Sequence, residues 1–434
     1  MTGRGETGTL PPVSRIPAAY RETALFSLLL WVFWAAIVSV EGFLVPWLLE
    51  EGYTSSQAGL VMSAIFLFAI VGQPAWGYAC DRLDRHRSLF VLAMASGAGV
   101  LLIMPLVANR LLPVLGVAAL YSLTINSMPG NLDGWIMARR SRQPGIEYGL
   151  VRAMGSAGFA LFATVLGRVY DQWGLHLIFP VFAGFAATAT VIALITPDSG
   201  GGRPTPLMSG DPGRIDPTIL EGEGDTARSG NIRETAGLVW NNHRYRVFVL
   251  SAVLLFSAFR AAFTFMPMLM TEVGGGYRHL GWTHTIGAGT EIPVMILSGW
   301  FLRRIRAQKL ILLAMVVFTV RMMIYPFITT PQQLILVQIL HGPSFGLFLA
   351  ASVHYIDSIA PAGSKSLFQA LAPSIYFGAG SVAGSAIGGV VVDLLGVRML
   401  YMMIPLQILA ATLLFRADSL RLDRRDAGGR RDRV

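Results

Sequence analysis

Charge is what this chain has least of. Asp, Glu, Lys and Arg make up 14% of its 434 residues and 53% are hydrophobic, whereas soluble proteins carry roughly 25% charged side chains. That shortage excludes an ordinary soluble protein and points to one embedded in lipid. Cysteine is almost absent as well. Cys80 stands alone, so it cannot form an internal disulfide, and its place beside a basic turn reads as structural rather than reactive. Missing too are a metal-spaced His/Cys/Asp/Glu group, a nucleophile beside a base, and a glycine-rich phosphate loop outside an apolar run. These absences argue against an enzyme, a bound metal and a cofactor. A receptor is disfavoured because no sizeable soluble domain can be read anywhere in the chain.

Long apolar runs are what the chain has instead. A bilayer-crossing helix needs ~20 apolar residues, and runs of that length are expected at 23–49, 56–80, 88–108, 111–138, 148–170 and 175–196. Six more are expected at 246–271, 280–302, 309–329, 333–359, 366–391 and 397–416. Residues 1–22 are polar and rich in Gly and Pro, without the short apolar core of a cleaved signal, and read as a disordered cytoplasmic tail. Residues 197–244, with Gly200 to Gly202, several prolines and mixed charge, have no face to bury and read as a cytoplasmic linker. The expected layout is therefore a six-helix unit over 23–196, the linker, a second six-helix unit over 245–416, and a basic cytoplasmic tail at 417–434.

Lys and Arg set the orientation. With both termini in the cytoplasm, only Arg110, Arg168, Arg278 and Arg398 of the 34 basic residues fall on the outside. Arg152, Arg260 and Arg321 lie inside spans, and the rest occupy cytoplasmic segments, as the positive-inside rule requires. Topology thus accounts for the net charge of +9, and no nucleic-acid partner need be invoked.

The turn from Gln73 to Arg87 is too short to be a domain, yet it carries Asp81, Arg82, Arg85 and Arg87. Its spacing Gly77-x-x-x-Asp81-Arg82-x-x-Arg85 offers close helix approach, a carboxylate for a helix end or a guanidinium, and basic groups for the anionic cytoplasmic surface. The second half echoes it with Arg303-Arg304-Ile-Arg306 after the eighth run. The fifth run ends in Asp171-Gln-Trp-Gly174 and the eleventh in Asp393-Leu-Leu-Gly396, and both are rich in glycine. Such repetition fits a bundle duplicated within one chain, with the glycines serving helix packing.

Ionisable groups inside lipid-spanning runs are costly unless they face a polar cavity or a partner. Here they are Glu41, Asp133, Arg152, Arg260, Glu291, Arg321 and His341. Helical spacing gathers some onto faces: Trp34, Val38 and Glu41; Asn126, Gly130 and Asp133; His284, Ala288 and Glu291; Gln338, His341 and Phe345. Arg152 is near enough to the cytoplasmic end of its run to snorkel.

The Gly77 to Arg85 loop resembles the loop between helices 2 and 3 of the major facilitator superfamily, with Asp84 where that family usually has glycine. A narrower resemblance covers most of the chain. Gln73-Pro74-Ala-Trp-Gly77, Glu147-Tyr-Gly-Leu-Val-Arg152-Ala-Met-Gly155-Ser156, Glu291-Ile-Pro293-Val, Val320-Arg321 and Gln338-Ile-Leu-His341-Gly342-Pro-Ser-Phe-Gly346 are similar to the lactose permease-like, phenylpropionate and nucleoside proton symporter branch. The resemblance implies an all-α membrane fold of 12 helices in two pseudo-symmetric bundles, a functional monomer, and alternating access. It implies that Asp133, approximately, and Arg152 hold substrate. It likewise gives Glu291, Arg321 and His341 the roles of the acid, arginine and histidine that join the substrate site to proton translocation. Ser344 stands where lactose permease carries the helix 10 carboxylate that takes up and releases the proton.

The expectation is a multi-pass cell-membrane transporter of a small polar or anionic organic solute: a sugar, a nucleoside or an aromatic acid. Its substrate-binding candidates are Glu41, Asn126, Asp133, Arg152 and Gln338, and its proton-coupling candidates are Glu291, Arg321 and His341. Gly77, Asp81, Arg82 and Arg85 are expected to brace a cytoplasmic gate. Symport with protons is implied by the resemblance; with Ser344 in that place, either Glu291, Glu41 or Asp133 takes over the proton or the protein is an uncoupled facilitator, and a proton-coupled drug or metabolite exporter of the same architecture is the alternative.

Overall fold

The structure is a computed structural model. It describes residues 18–83, 85–198, 237, 241–361 and 364–431, with the side chains of Asp81, Ser366 and all residues beyond Leu420 outside the description. Most of the expected linker and most of the N-terminal tail therefore lie outside the described residues.

Twelve helical segments are long and apolar enough to cross a membrane. The first six are α1 (Ala18–Glu50), α2 (Ser55–Cys80), α3 (His86–Val107), α4 (Leu111–Arg142), α5 (Tyr148–Trp173) and α6 (Leu175–Ile195). The second six are α7 (His243–Glu272), α8 (Tyr277–Arg304), α9 (Ala307–Phe327), α10 (Pro331–Ile359), α11 (Leu367–Leu395) and α12 (Val397–Leu420). Two ends differ from expectation. Helix begins at Ala18 rather than near residue 23, because Glu22 is buried and paired with Arg139 through two hydrogen bonds of 2.7 Å. After α12 the helix continues to Arg431, through what was expected to be tail.

Several spans are broken where the sequence removes a backbone donor or supplies a glycine. In α1 a turn at Gly42 and Phe43 separates Ala18–Glu41 from Leu44–Glu50. In α4 a π-helical stretch, Ser122–Asn126, precedes Pro129, and in α10 another, Gly342–Gly346, contains Pro343. Proline lacks an N–H and its ring clashes with the carbonyl four residues back, so a widened turn is a common adjustment. The two stretches fall in corresponding helices of the two halves, and neighbours take up the groups they free. Trp76 of α2 donates to the Leu123 carbonyl at 2.6 Å, and the Gly342 N–H donates to Thr290 of α8 at 3.1 Å.

The halves meet along α2 against α11 and α5 against α8. At Gly59 an added Cβ would collide with the Ser385 carbonyl, and at Gly281 with the Ala163 carbonyl. Helix association in lipid depends on such close backbone approach, since burial of apolar surface drives little there. Each contact is closed by an aspartate. Asp393 accepts from the Ser55 and Ser56 N–H groups at 2.8 Å each, and Asp171 accepts from the Tyr277 N–H at 2.9 Å. Both satisfy donors at a helix N-terminus of the opposite half. Gly174 and Gly396, three residues after these aspartates, turn with φ of 90° and 86°, a conformation open to glycine. Among the described residues every hydrogen bond between the halves lies toward this end, Ser63 to Val382 and Thr164 to Thr285 included. The molecule is closed opposite its basic loops and open toward them.

Candidate functional site

A cavity of about 800 Å³ lies between the halves, with walls from both. Its charged lining consists of Glu41, Arg152, Arg260, Glu291 and Arg321, and these sort into three groups.

The first is a chain within the second half. His341 Nε2 lies 2.8 Å from Glu291 Oε1 and His341 Nδ1 lies 2.7 Å from Arg321 Nη1. A guanidinium can only donate, so Nδ1 is the acceptor, and Nε2 carries the imidazole proton and donates it to Glu291. The neutral tautomer is thereby set by the arginine. Arg321 Nη2 also donates to Gln338 Oε1 at 2.5 Å and to the Tyr325 hydroxyl at 3.2 Å, and Gln338 Nε2 donates to that hydroxyl at 2.9 Å. Phe345 stacks on His341 at 5.1 Å between ring centroids. His341 cannot take a second proton without losing Arg321. The imidazole engages one Glu291 oxygen, Oε1.

The second group lies within the first half. Arg152 stands 3.9 Å from Asp133 and 5.5 Å from the centre of the Trp34 ring. It is 42% exposed, so the pair contributes at most about 1 kcal/mol to stability, and the guanidinium is free to serve the cavity. Arg152 and Asn126 line the cavity, and Asp133 stands beside Arg152. A π-helical stretch ending at Asn126 and the restart at Pro129 separate Asn126 from Gly130 and Asp133, so the three do not lie on one unbroken helical face.

The third group spans the seam. Glu41 of α1 and Arg260 of α7 attract one another across it without closing a direct salt bridge. Asn126 is the hydrogen-bonding neighbour of Glu41.

The sequence therefore brings Glu291, Arg321, His341 and Gln338 into one network, pairs Arg152 with Asp133, and sets Glu41 and Asn126 on the opposite wall. It missed Tyr325, although Arg321 to Tyr325 is a helical i, i+4 spacing. Ser344 is fully buried and donates to the Leu340 and His341 carbonyls at 2.7 and 3.0 Å, taking no part in the network. His284, on the Glu291 face of α8, is buried against the Gly42 turn among Phe43, Phe159 and Phe263. At the basic end, Arg82 donates to Tyr78 of its own helix at 2.7 Å and Arg304 lies over Trp300 at 4.3 Å, contacts that stay within one half. Asp84 and the side chain of Asp81 lie outside the described residues.

A profile of the MFS_1 like family matches residues 24–403. The chain belongs to that family. It is a multi-pass membrane transporter of the major facilitator superfamily, a family that moves solutes and performs no chemistry on them. The maltose permease of Geobacillus stearothermophilus is 24% identical over 377 residues, covering 87% of this chain and 89% of that one. The lactose permease of Klebsiella oxytoca is 24% identical over 329 residues, covering 73% and 75%. The crystal structure of the nucleoside transporter NupG superposes with a TM-score of 0.75 at 16% identity, covering 91% of this chain and 98% of that one. That likeness establishes the fold.

Proposed function

We propose that this transporter carries a neutral polyhydroxyl solute, a sugar or nucleoside, by alternating access with uptake of a proton at Glu291. The observation that carries the reading is the matching of charge in the cavity. Arg152 is matched by Asp133, Arg321 by Glu291 through His341, and Arg260 by Glu41. With Asp133 counted beside Arg152, three acids balance three arginines, which favours a solute that both donates and accepts hydrogen bonds over an anion. Trp34, Phe159, Phe263 and Phe345 add flat apolar surface for sugar or base rings. The relatives named as maltose and lactose permeases support the sugar.

Protonation of Glu291 removes one negative charge from a wall that must cross a low-dielectric seam, which lowers the cost of reorientation. His341 and Arg321 keep the carboxylate oriented while that happens. Uptake of labelled maltose, lactose and uridine into proteoliposomes, with and without an inward proton gradient, tests the reading. One solute class is expected to accumulate only with the gradient. Glu291→Gln is expected to abolish accumulation while leaving exchange of solute across the membrane intact. Gradient-driven accumulation by that variant would overturn the role of Glu291.

A further inference from the structure

We propose that Glu41 and Arg260, with Asn126 beside the carboxylate, form a solute subsite, one that spans the seam and takes a hydroxyl of the solute. The inference rests on the reading above that the solute is polyhydroxylic, and it adds Arg260 to the site.

The three residues come from both halves, Glu41 and Asn126 from α1 and α4, Arg260 from α7, and all line the cavity. Arg260 is held in place by contacts that leave donors over. Its guanidinium lies 3.9 Å from the centre of the Phe66 ring, which belongs to α2 in the other half, and 5.5 Å from that of Phe263. Its Nε donates to Ser381 of α11 at 3.3 Å. Arginine has five N–H donors, so stacking and one hydrogen bond leave the terminal nitrogens unspent. Across the gap Glu41 offers a carboxylate, with Asn126 as its hydrogen-bonding neighbour. The subsite thus presents an acceptor on one wall and donors on the other, with no direct salt bridge between them.

The ligand chemistry follows from that polarity. An ion of either sign meets one like and one opposite charge there, so neither sign gains a net attraction. A hydroxyl serves both, since it donates a proton and accepts with its oxygen. One hydroxyl bridges Glu41 and Arg260, donating to the carboxylate and accepting from the guanidinium. The Phe263 ring closes the subsite with an apolar surface suited to the C–H face of a sugar ring. The other two charge groups each lie inside one half, so this subsite alone lets the solute itself join the halves.

Equilibrium binding to the purified full chain in nanodiscs tests the subsite without requiring transport. Labelled maltose, lactose and uridine are the probes, followed by monodeoxy analogues of whichever binds. Arg260→Met is expected to weaken the parent solute about tenfold or more, the scale of a lost hydrogen bond to a charged group. Glu41→Gln, similar in shape and on the opposite wall, is expected to weaken it about threefold or more, and it carries the same comparison if the arginine variant does not fold. For one monodeoxy analogue both substitutions are expected to have no further effect, because the hydroxyl they would serve is gone. Equal losses for the parent and every analogue would assign the residues a structural role and overturn the subsite, as would unaltered binding in both variants. Failure of the wild-type chain to bind any probe would overturn the proposed function, and this subsite with it.

Discussion

At the scale of single residues, His341 is the informative one. Its tautomer is fixed by a neighbour that can only donate, and it is therefore a relay of orientation between Arg321 and Glu291. Arg321 is 3% exposed, and its charge is tolerated because His341, Gln338 and Tyr325 surround it. Removing one partner from such a buried group typically costs about 3–5 kcal/mol, because the remainder is left unpaired. Arg321→Met is thus expected to lower stability by about 3 kcal/mol. His341→Phe added to it is expected to cost less than the sum of the two single losses, since the second removes an acceptor that has already lost its donor. Denaturant unfolding of the purified variants reads both numbers, and strict additivity would show that the chain is not a unit. This network was legible in the sequence because each member is a polar residue in an apolar run. Arg260's placement was not, for its partners Phe66, Ser381 and Glu41 are distant in the chain and only folding brings them together.

At the scale of elements, the positions of the helices were legible and their irregularities were not. Apolar length and flanking charge suffice to mark a span, so the twelve runs were found within a few residues of their observed ends. The widened turns of α4 and α10 depend on whether a neighbour can take up a freed backbone group, as Trp76 and Thr290 do. No local pattern announces that, so the break between Asn126 and Asp133 was not legible in the sequence. The aspartate latches are a second elementary device, with Asp171 at the start of α8 and Asp393 at the start of α2. A side chain satisfying helix N-terminal donors contributes ~1 kcal/mol. Asp171→Ala combined with Asp393→Ala is therefore expected to loosen the closed end by about 2 kcal/mol. The check is the labelling rate of a cysteine at Ser385, in a Cys80→Ser background, by a membrane-impermeant maleimide. That rate is expected to rise on the order of thirtyfold in the double variant. An unchanged rate would mean that the glycine contacts alone hold the seam.

At the scale of the whole molecule, the hydrogen bonds and the basic residues sit at opposite ends. The halves are joined where the Asp171 and Asp393 latches lie and diverge where Arg82 and Arg304 turn back onto their own helices. Arginine and lysine assign the diverging end to the cytoplasm, so the cavity of this state should open inward. Bracing by the Gly77 to Arg85 loop is then expected only in the opposite state, in which the latches would part and the basic ends approach. Ser374 lines the cavity on α11, whereas Ser385 is buried in the seam about three turns toward the closed end. A single cysteine at Ser374 is accordingly expected to react with an impermeant maleimide in inside-out vesicles and scarcely at all in right-side-out ones. A single cysteine at Ser385 should resist it from both sides. A transported solute should protect the first position by occupying the cavity, and should raise the reactivity of the second by drawing the population toward the outward-open state. Reaction at Ser374 from the outside alone would reverse the orientation that the basic loops assign.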